Sequence, residues 1–327
     1  RVSGRVGREN SALIGAVIYL ASASLIPIAY HTHSIALLLI LSAIAGIAIG
    51  FYWPAVQALM GTAAPREKLL TFITIYNLAW SAGRMLGMRL SGNLFMHSPN
   101  MPFIVGGAIS LLVVLATLAA RAFEAQRDSE AVDFSRVLAR YSSAEFNSLV
   151  VASAQLGNLL RTLSVGTAVA LFPKWASSLR FSPAQVSELV FLLLVGHFLS
   201  FIVAPALYAW ISPKMLVIIK IAISCGSILI SLSNAAWQFF LSFLLVGVCA
   251  GLACTTSTYY SILSQGRTTS GSARHEASVG AGSVLGPILG GFIAQVTASQ
   301  RSPYMLMAFI GLCLLALDIV YLLRRRN

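Results

Sequence analysis

The sequence has few charged residues and very few acidic ones. Charged side chains make up 10% of its 327 residues, and only 10 residues are Asp or Glu. A soluble domain normally carries charge at about a quarter of its positions, so water is not the main solvent of this chain. The net charge of +12 would suit a nucleic acid, but the basic residues follow the ends of long apolar segments. We therefore expect no nucleic-acid partner.

Cysteine is scarce and forms no metal-binding pattern. The four cysteines lie singly in apolar segments, without a CxxC pair or a Cys/His cluster, so we expect neither a disulfide nor a metal site. They are Cys225, Cys249, Cys254 and Cys313. The sequence also lacks a P-loop, a Gly-x-Ser-x-Gly motif and an HExxH motif. These absences argue against ATP hydrolysis and other enzymatic activity, and no cofactor is expected.

Apolar runs of about 20 residues, enough to cross the hydrocarbon of a bilayer, recur along the whole chain. Lipid leaves only helices or a closed barrel as spanning structures, and these runs are continuous rather than alternating. The predicted fold class is therefore an all-α membrane protein with the lipid bilayer as its surroundings. The ten predicted spans cover residues 11–30, 34–60, 69–95, 102–122, 147–172, 183–209, 215–233, 236–263, 275–297 and 303–323.

The basic residues are distributed unequally between the two sides of these spans. Sixteen Lys and Arg residues, with Lys220 counted among them, fall on one side and three on the other. The three are Lys174, Arg180 and Arg301, and a further three lie inside spans: Arg84, Arg89 and Arg161. The positive-inside rule makes the rich side cytoplasmic and places both termini in the cytoplasm.

An internal repeat relates the two parts of the chain. Residues 82–92 align without gaps on residues 281–291, and Gly46-x-x-x-Gly50 falls on Gly247-x-x-x-Gly251. The repeat predicts a duplicated bundle, with an incomplete first bundle at 1–122, a cytoplasmic linker at 123–146 and a six-helix bundle at 147–327. By this pairing, the first bundle lacks two helices at its front. The residues expected to pack helices closely are Gly83, Gly87, Gly282, Gly286, Pro287 and Gly290.

Two six-helix bundles joined by a cytoplasmic linker resemble the major facilitator superfamily. Ser3-Gly4-Arg5-Val6-Gly7-Arg8-Glu9 is similar to that family's loop G-x-x-x-D-R-x-G-R-[RK], with Gly4 in place of its Asp. Residues 50–55 and 76–83 resemble helices of sugar-efflux and drug-efflux permeases. The resemblance implies a monomeric secondary transporter in the plasma or inner membrane, with Arg5, Gly7 and Arg8 in a gating loop. It also implies alternating access, and coupling to a proton or another ion.

In that family arrangement, spans 34–60, 147–172 and 236–263 line a cavity that binds a small solute near the midplane. Arg161 lies near the middle of its span, where an arginine costs about 2.5–3.5 kcal/mol on insertion scales. It therefore needs water, an acid or a ligand. The candidate substrate-binding residues are Arg161, Arg84, Asn158, Gln155, Asn77, Tyr52, Gln57 and Thr256. Helix packing or a structural ion pair is the alternative role for these residues.

Three titratable residues are candidates for proton coupling: His197, Glu188 and Asp318. An ordinary histidine titrates near neutral pH, although His197 could equally form an interhelical hydrogen bond, and Asp318 could neutralise Arg324 or a neighbour. Arginines at mid-depth with few acids favour an anionic or polar solute over a cationic drug. The alternative function is a non-transporting membrane protein, either a truncated remnant or a regulatory relative of the family.

The charge count generates a topological prediction. Reporter fusions after Tyr30, Phe95 and Ser233 should map outside the cytoplasm, and fusions after Gly61 and Phe123 should map inside, because the spans between them reverse direction. Paired alkaline-phosphatase and fluorescent-protein fusions measure each site. One reversed pair of neighbouring sites would contradict the ten-span topology.

Overall fold

The computed structural model describes residues 7–63, 68–127, 148–204, 206–207, 213–264 and 269–324. Within these ranges the chain forms ten helices and no strand, which confirms the all-α prediction. The helices are α1 (Arg8–His31), α2 (Ile35–Ala63), α3 (Leu69–His97), α4 (Met101–Arg127), α5 (Ser148–Ser178), α6 (Pro183–Val203), α7 (Pro213–Leu232), α8 (Ala236–Ser264), α9 (Thr269–Val296) and α10 (Ser302–Arg324).

Eight of the described helices are long and apolar enough to cross a membrane. The other two, α3 and α5, have 29 and 31 residues and so are also long enough. Their hydropathy is lower because they carry internal polar residues, among them Arg84 and Arg161. Each of the ten predicted spans falls on one of these helices, so a polytopic membrane protein is confirmed.

The N-terminal end of α6 is fixed by local hydrogen bonds. The helix begins with a capping box: the Ser182 hydroxyl accepts from the Gln185 N–H at 3.2 Å, and the Gln185 side-chain oxygen accepts from the Ser182 N–H at 2.9 Å. This arrangement satisfies two N–H groups that the helix start leaves without partners.

At the other end, we predicted a span to residue 209, but α6 ends at Val203. Pro205 follows in the sequence, and a proline has no backbone N–H with which to continue the helical hydrogen bonds.

The helices gather into two compact units. Unit 1 contains α1, α2, α3 from Leu86 onward, α4, and α9 up to Glu276. Unit 2 contains α3 up to Met85, α5 to α8, α9 from Ala277 onward, and α10. Of the predicted linker at 123–146, residues 123–127 belong to the end of α4, and the rest lies outside the described residues. The predicted division into bundles at 1–122 and 147–327 stays a prediction.

In unit 1, α1 packs closely against α2 at Gly15. A Cβ built on Gly15 would lie 2.7 Å from the carbonyl oxygen of Ala48 and 2.8 Å from the backbone nitrogen of Tyr52. Real Cβ atoms do not approach backbone atoms that closely, so only glycine allows this contact. The contact fixes the backbone at Tyr52, one of the candidate substrate-binding residues.

In unit 2, an aromatic cluster joins α5, α8 and α10. The ring of Phe172 lies 4.8 Å from that of Phe243 and 5.0 Å from that of Phe239. The ring of Trp175 lies 5.3 Å from that of Tyr304. These separations are typical of favourable aromatic pairs. All five side chains are buried, so the cluster packs the C-terminal half of α5 against α8 and α10.

Three glycines one turn apart bring α9 against α5: Gly282, Gly286 and Gly290. An added Cβ would overlap the side chain of Thr162 at the first, overlap the carbonyl oxygen of Leu163 at the second, and lie 2.8 Å from Leu171 Cδ1 at the third. A Cβ built on Gly166 of α5 would lie 3.4 Å from Pro287 Cδ on α9. The two helices therefore approach closely along two turns of α9.

Gly83 and Gly87 of α3 behave differently from their counterparts on α9. A Cβ built on either would meet no described atom within 4 Å. We predicted close packing at both, and the structure contradicts that prediction. The repeat preserved the small residues, but it did not preserve a close contact with any described atom.

The glycines of α9 offer a matched test of this packing. Gly286→Ala should destabilise the protein by about 1–3 kcal/mol, the usual cost of overpacking, because the new methyl group has no space beside Leu163. Gly291→Ala on the same helix should be neutral, since nothing described lies within 4 Å of its Cβ position. Thermal unfolding of both variants in detergent, followed by tryptophan fluorescence, measures the difference. Equal melting temperatures would contradict the packing described for α9.

Candidate functional site

A polar face runs along α5. Gln155, Asn158 and Arg161 follow one another at intervals of three residues, so they lie on one side of the helix. Asn158 is fully buried and Arg161 is 5% exposed. All three were predicted to bind substrate, and the structure brings them together within unit 2.

The Arg161 guanidinium is held by two neutral groups. Its Nε donates to Asn158 Oδ1 at 2.8 Å, and its Nη1 donates to His197 Nε2 at 3.5 Å. None of the described residues places a carboxylate within salt-bridge distance of it. Arg161 is therefore a buried positive charge whose direction is set by hydrogen bonds and whose charge is not neutralised by the described part of the protein.

Asn158 and Gln155 connect α5 to two other helices. Asn158 Nδ2 donates to Ser278 Oγ of α9 at 2.6 Å, and that hydroxyl donates in turn to Gln155 Oε1 at 3.4 Å. Gln155 Nε2 also donates to Ser261 Oγ of α8. These contacts fix the side chains that surround Arg161. Neither serine was predicted, because a serine in an apolar helix is common and carries no signal of its own.

His197 of α6 lies directly beside Arg161. The imidazole is 2% exposed, and its Nε2 must be the acceptor of the Arg161 hydrogen bond, since arginine can only donate. The proton of the neutral ring is then on Nδ1, a buried atom with no hydrogen-bond partner among the described residues. The rings of Trp80 and Phe201 lie 5.5 Å and 5.0 Å from it. The predicted proton carrier and the predicted anion-binding residue are thus neighbours.

The first part of α3 adds polar groups to the same unit. Asn77 is fully buried; its Oδ1 accepts from Trp80 Nε1 at 3.1 Å, and its Nδ2 donates to Thr255 Oγ1 of α8 at 3.4 Å. Arg84 is exposed and lies close enough to Arg161 for their charges to interact. A second positive charge near Arg161 further strengthens the electropositive character of this region.

Of the other candidate substrate-binding residues, one bonds within its own helix and two belong to unit 1. The Thr256 hydroxyl donates to the carbonyl oxygens of Leu252 and Ala253, at 2.9 Å and 3.1 Å. Its hydrogen bonds are therefore made within α8. Tyr52 and Gln57 belong to unit 1. There Gln57 is buried, and its Nε2 donates to Glu276 Oε1 of α9.

Of the remaining proton-coupling candidates, Glu188 is exposed near the start of α6. Asp318 of α10 is buried and pairs with Lys220 of α7. Our charge count assigned Lys220 to the cytoplasmic side, which is wrong, because its side chain is fully buried within unit 2. Asp318 does neutralise a cation, Lys220; we predicted Arg324 or a neighbour for this role, and the side chain of Arg324 lies outside the described residues.

The sequence matches the profile of the family described as Major Facilitator Superfamily, over residues 1–273 and again over residues 154–327. The chain belongs to the Major Facilitator Superfamily. Two overlapping matches are what a duplicated bundle would give. No curated protein sequence matches the chain.

Solved structures of superfamily members share the fold at low sequence identity. The Escherichia coli fucose:proton symporter FucP has a TM-score of 0.65 and 12% identity, covering 98% of this chain and 85% of its own. The proton:xylose symporter XylE has a TM-score of 0.71 and 12% identity, covering 96% and 80%. The human organic anion transporter MFSD10 has a TM-score of 0.70 and 16% identity, covering 97% and 78%. The fold is therefore that of a membrane transporter.

The loop that resembles the superfamily's gating motif is described only in part. Arg5 lies outside the described residues, whereas Gly7 precedes α1 and Arg8 begins it. Gly7 has a φ of +90°, which favours glycine, and its carbonyl oxygen accepts from the Ser11 N–H at 3.1 Å. This geometry explains the glycine at residue 7. The gating role of Arg5, Gly7 and Arg8 stays a prediction.

Proposed function

We propose that this protein is a secondary active transporter of a small organic or inorganic anion, and that Arg161 is the residue that binds the anion. The observation that carries the proposal is the environment of Arg161, a buried guanidinium with two neutral partners and no carboxylate among the described residues. Members of the superfamily with this fold carry several classes of solute, so the substrate class must come from the site itself.

The energetic argument is that a buried charge needs compensation. A positive charge near the centre of a membrane helix costs at least about 2.5–3.5 kcal/mol, and two hydrogen bonds to neutral groups leave the charge itself in place. Of the predicted acids, Glu188 is exposed and Asp318 is paired with Lys220. A substrate anion would supply the missing negative charge each time it binds.

The shape of the site supports an oxyanion. Arginine presents its N–H groups in a planar fork that matches a carboxylate or a phosphate with two parallel hydrogen bonds. Asn158 and His197 each take one donor of the guanidinium, which orients the fork and leaves its other N–H groups for a ligand. Arg84 contributes a second positive charge at longer range, and Gln155 and Asn77 are the nearby polar groups that complete the proposed site.

The position of His197 also supports proton coupling. A proton taken up at Nε2 of His197 replaces the hydrogen bond from Arg161 and places a second positive charge beside it. That charge is unfavourable when the site is empty and favourable when an anion is bound there. Proton and anion therefore stabilise each other, as symport requires. We propose the same alternating access, cytoplasmic termini, monomeric state and plasma- or inner-membrane location that the family resemblance implied. FucP and XylE are proton symporters, and MFSD10 is an organic anion transporter, so proton coupling and anion transport each have a precedent on this fold.

Arg161 variants test the proposed substrate class. Inorganic phosphate, succinate, citrate and benzoate should be compared with the neutral sugars xylose and fucose, by thermal stabilisation of the detergent-solubilised protein. At least one anion should stabilise the unaltered protein and the sugars should not. Arg161→Lys should weaken its affinity about tenfold, because it keeps the charge and loses the fork, and Arg161→Gln about a hundredfold.

The matched control is Lys174→Gln, which removes an exposed cation from the same helix and should leave affinity unchanged. Stabilisation by a sugar alone, or full anion affinity in a well-folded Arg161→Gln variant, would refute the proposed substrate class.

His197 generates a separate prediction on pH. Uptake of the stabilising anion into proteoliposomes should rise several-fold as the external pH is lowered, because a proton on His197 favours the bound anion. His197→Gln can still accept from Arg161 but cannot carry a proton, so uptake should become independent of pH. His31→Gln, at an exposed histidine of unit 1, is the control. An unchanged pH profile in His197→Gln would exclude His197 as the proton carrier.

A further inference from the structure

Unit 2 contains a second buried charge system, formed by Lys220 of α7, Asp318 of α10 and Ser153 of α5. The side chains of Lys220 and Asp318 are 0% and 5% exposed. Lys220 Nζ contacts Asp318 Oδ2 and donates to Ser153 Oγ at 2.8 Å; Ser153 Oγ in turn donates to Asp318 Oδ2 at 3.0 Å. We refer to these three residues as the Lys220 triad. Each pair of its members is in contact, so the triad joins three helices at one point.

The lysine side chain also lies against the backbone of α5. A Cβ built on Gly157 would be 3.4 Å from Lys220 Cε, so the lysine stem packs beside α5 at the residue before Asn158. Gly157 leaves room for that stem, and Ser153 bonds to its end. Lys220 therefore contacts α5 on both sides of Gln155, within the turns that carry the proposed anion site.

The contacts of Lys220 with Ser153 and Gly157 hold α5 in place only if Lys220 itself has a fixed position. Lys220 cannot leave Asp318 at low cost, because separating the two charges leaves each uncompensated inside the unit. The distance between α7 and α10 is fixed by a further close contact, since a Cβ built on Gly311 of α10 would overlap the hydroxyl of Ser224 on α7. The ion pair thus has a fixed position, and α5 is bound to it.

We propose that Lys220 and Asp318 are positioning residues for the anion site: without contacting the substrate, they set the register of α5 and so the place of Gln155, Asn158 and Arg161. This inference rests on the proposed function, because the register of α5 matters for binding only if Arg161 binds an anion. It also differs from the prediction that Asp318 carries the coupling proton. In this arrangement Asp318 is the structural counter-charge of Lys220, and the moving proton belongs to His197.

The first experiment measures the register of α5 without any ligand. Gln155 and Ser261 are in contact, so the pair Gln155→Cys/Ser261→Cys reports how α5 lies against α8. A short bis-methanethiosulfonate reagent should join these cysteines in high yield in the otherwise unaltered protein, with the product identified by peptide mass spectrometry. In the added double variant Lys220→Met/Asp318→Asn, which is free of net buried charge, the yield should fall several-fold.

The single variants Lys220→Met and Asp318→Asn, compared with the double variant, measure whether the two buried charges stabilise each other. Lys220→Met and Asp318→Asn should each lower the melting temperature by roughly 10 °C, because each leaves one buried charge unpaired. The double variant should recover most of that loss, and so it remains a folded protein for the other measurements. Additive losses in the double variant would show that the two charges are not coupled, which would overturn the proposal.

The second experiment measures the consequence for binding in the double variant, with inorganic phosphate, succinate, citrate and benzoate as probes. We expect affinity for the stabilising anion to fall about tenfold, while the maximal transport rate at saturation changes less than twofold. The control is Lys174→Met, which removes one exposed cation from α5 and should change neither quantity.

The outcomes separate the two proposals. If none of the four anions binds the unaltered protein, the proposed function fails, and the positioning proposal fails with it even when the cross-link yield falls. If an anion binds through Arg161 but the double variant keeps the full yield or the full affinity, only the positioning proposal is overturned. A double variant that binds normally but loses its pH dependence would instead make Asp318 the proton carrier and would also overturn it.

Discussion

In the interior of a membrane protein, a charged side chain stays charged only where another group replaces the water it has lost. Unit 2 meets this requirement in two different ways. Lys220 has a counter-charge in Asp318, whereas Arg161 has, among the described residues, the neutral partners Asn158 and His197. The first arrangement is complete within the protein, and in our proposal a ligand completes the second. A structural charge and a binding charge can thus be distinguished by their partners.

The two arrangements depend on how closely the helices approach. Gly282, Gly286 and Gly290 bring α9 against α5, which places Ser278 within 2.6 Å of Asn158. Gly157 makes room for the Lys220 stem on α5. In lipid, where apolar surfaces gain little from leaving their surroundings, contacts of this kind supply much of the packing energy. The small residues therefore fix the positions of the helices around α5, and these positions in turn fix the side chains of its polar face.

The helical fold and the polar face of α5 could be predicted because both depend on local order in the sequence. A run of apolar residues marks a span, and polar residues three apart mark a face. The Lys220–Asp318 pair could not be predicted, because its members are separated by 98 residues and Lys220 lies near enough to a helix end to be counted as cytoplasmic. The Gly-x-x-x-Gly pattern was equally ambiguous: it marks a close contact at Gly282 and none with the described residues at Gly83. A pattern in one helix does not show which helix lies beside it.

The sequence separation of Lys220 and Asp318 has a consequence for biosynthesis. A ribosome adds about 5–20 residues per second, so the 98 residues between the two take roughly 5–20 s to synthesise. During that interval α7 has emerged with its lysine and α10 does not yet exist. A lysine in that state can direct its long stem toward the headgroup region. Its contact with Asp318 forms only once α10 has been made, so this part of unit 2 is assembled late in synthesis.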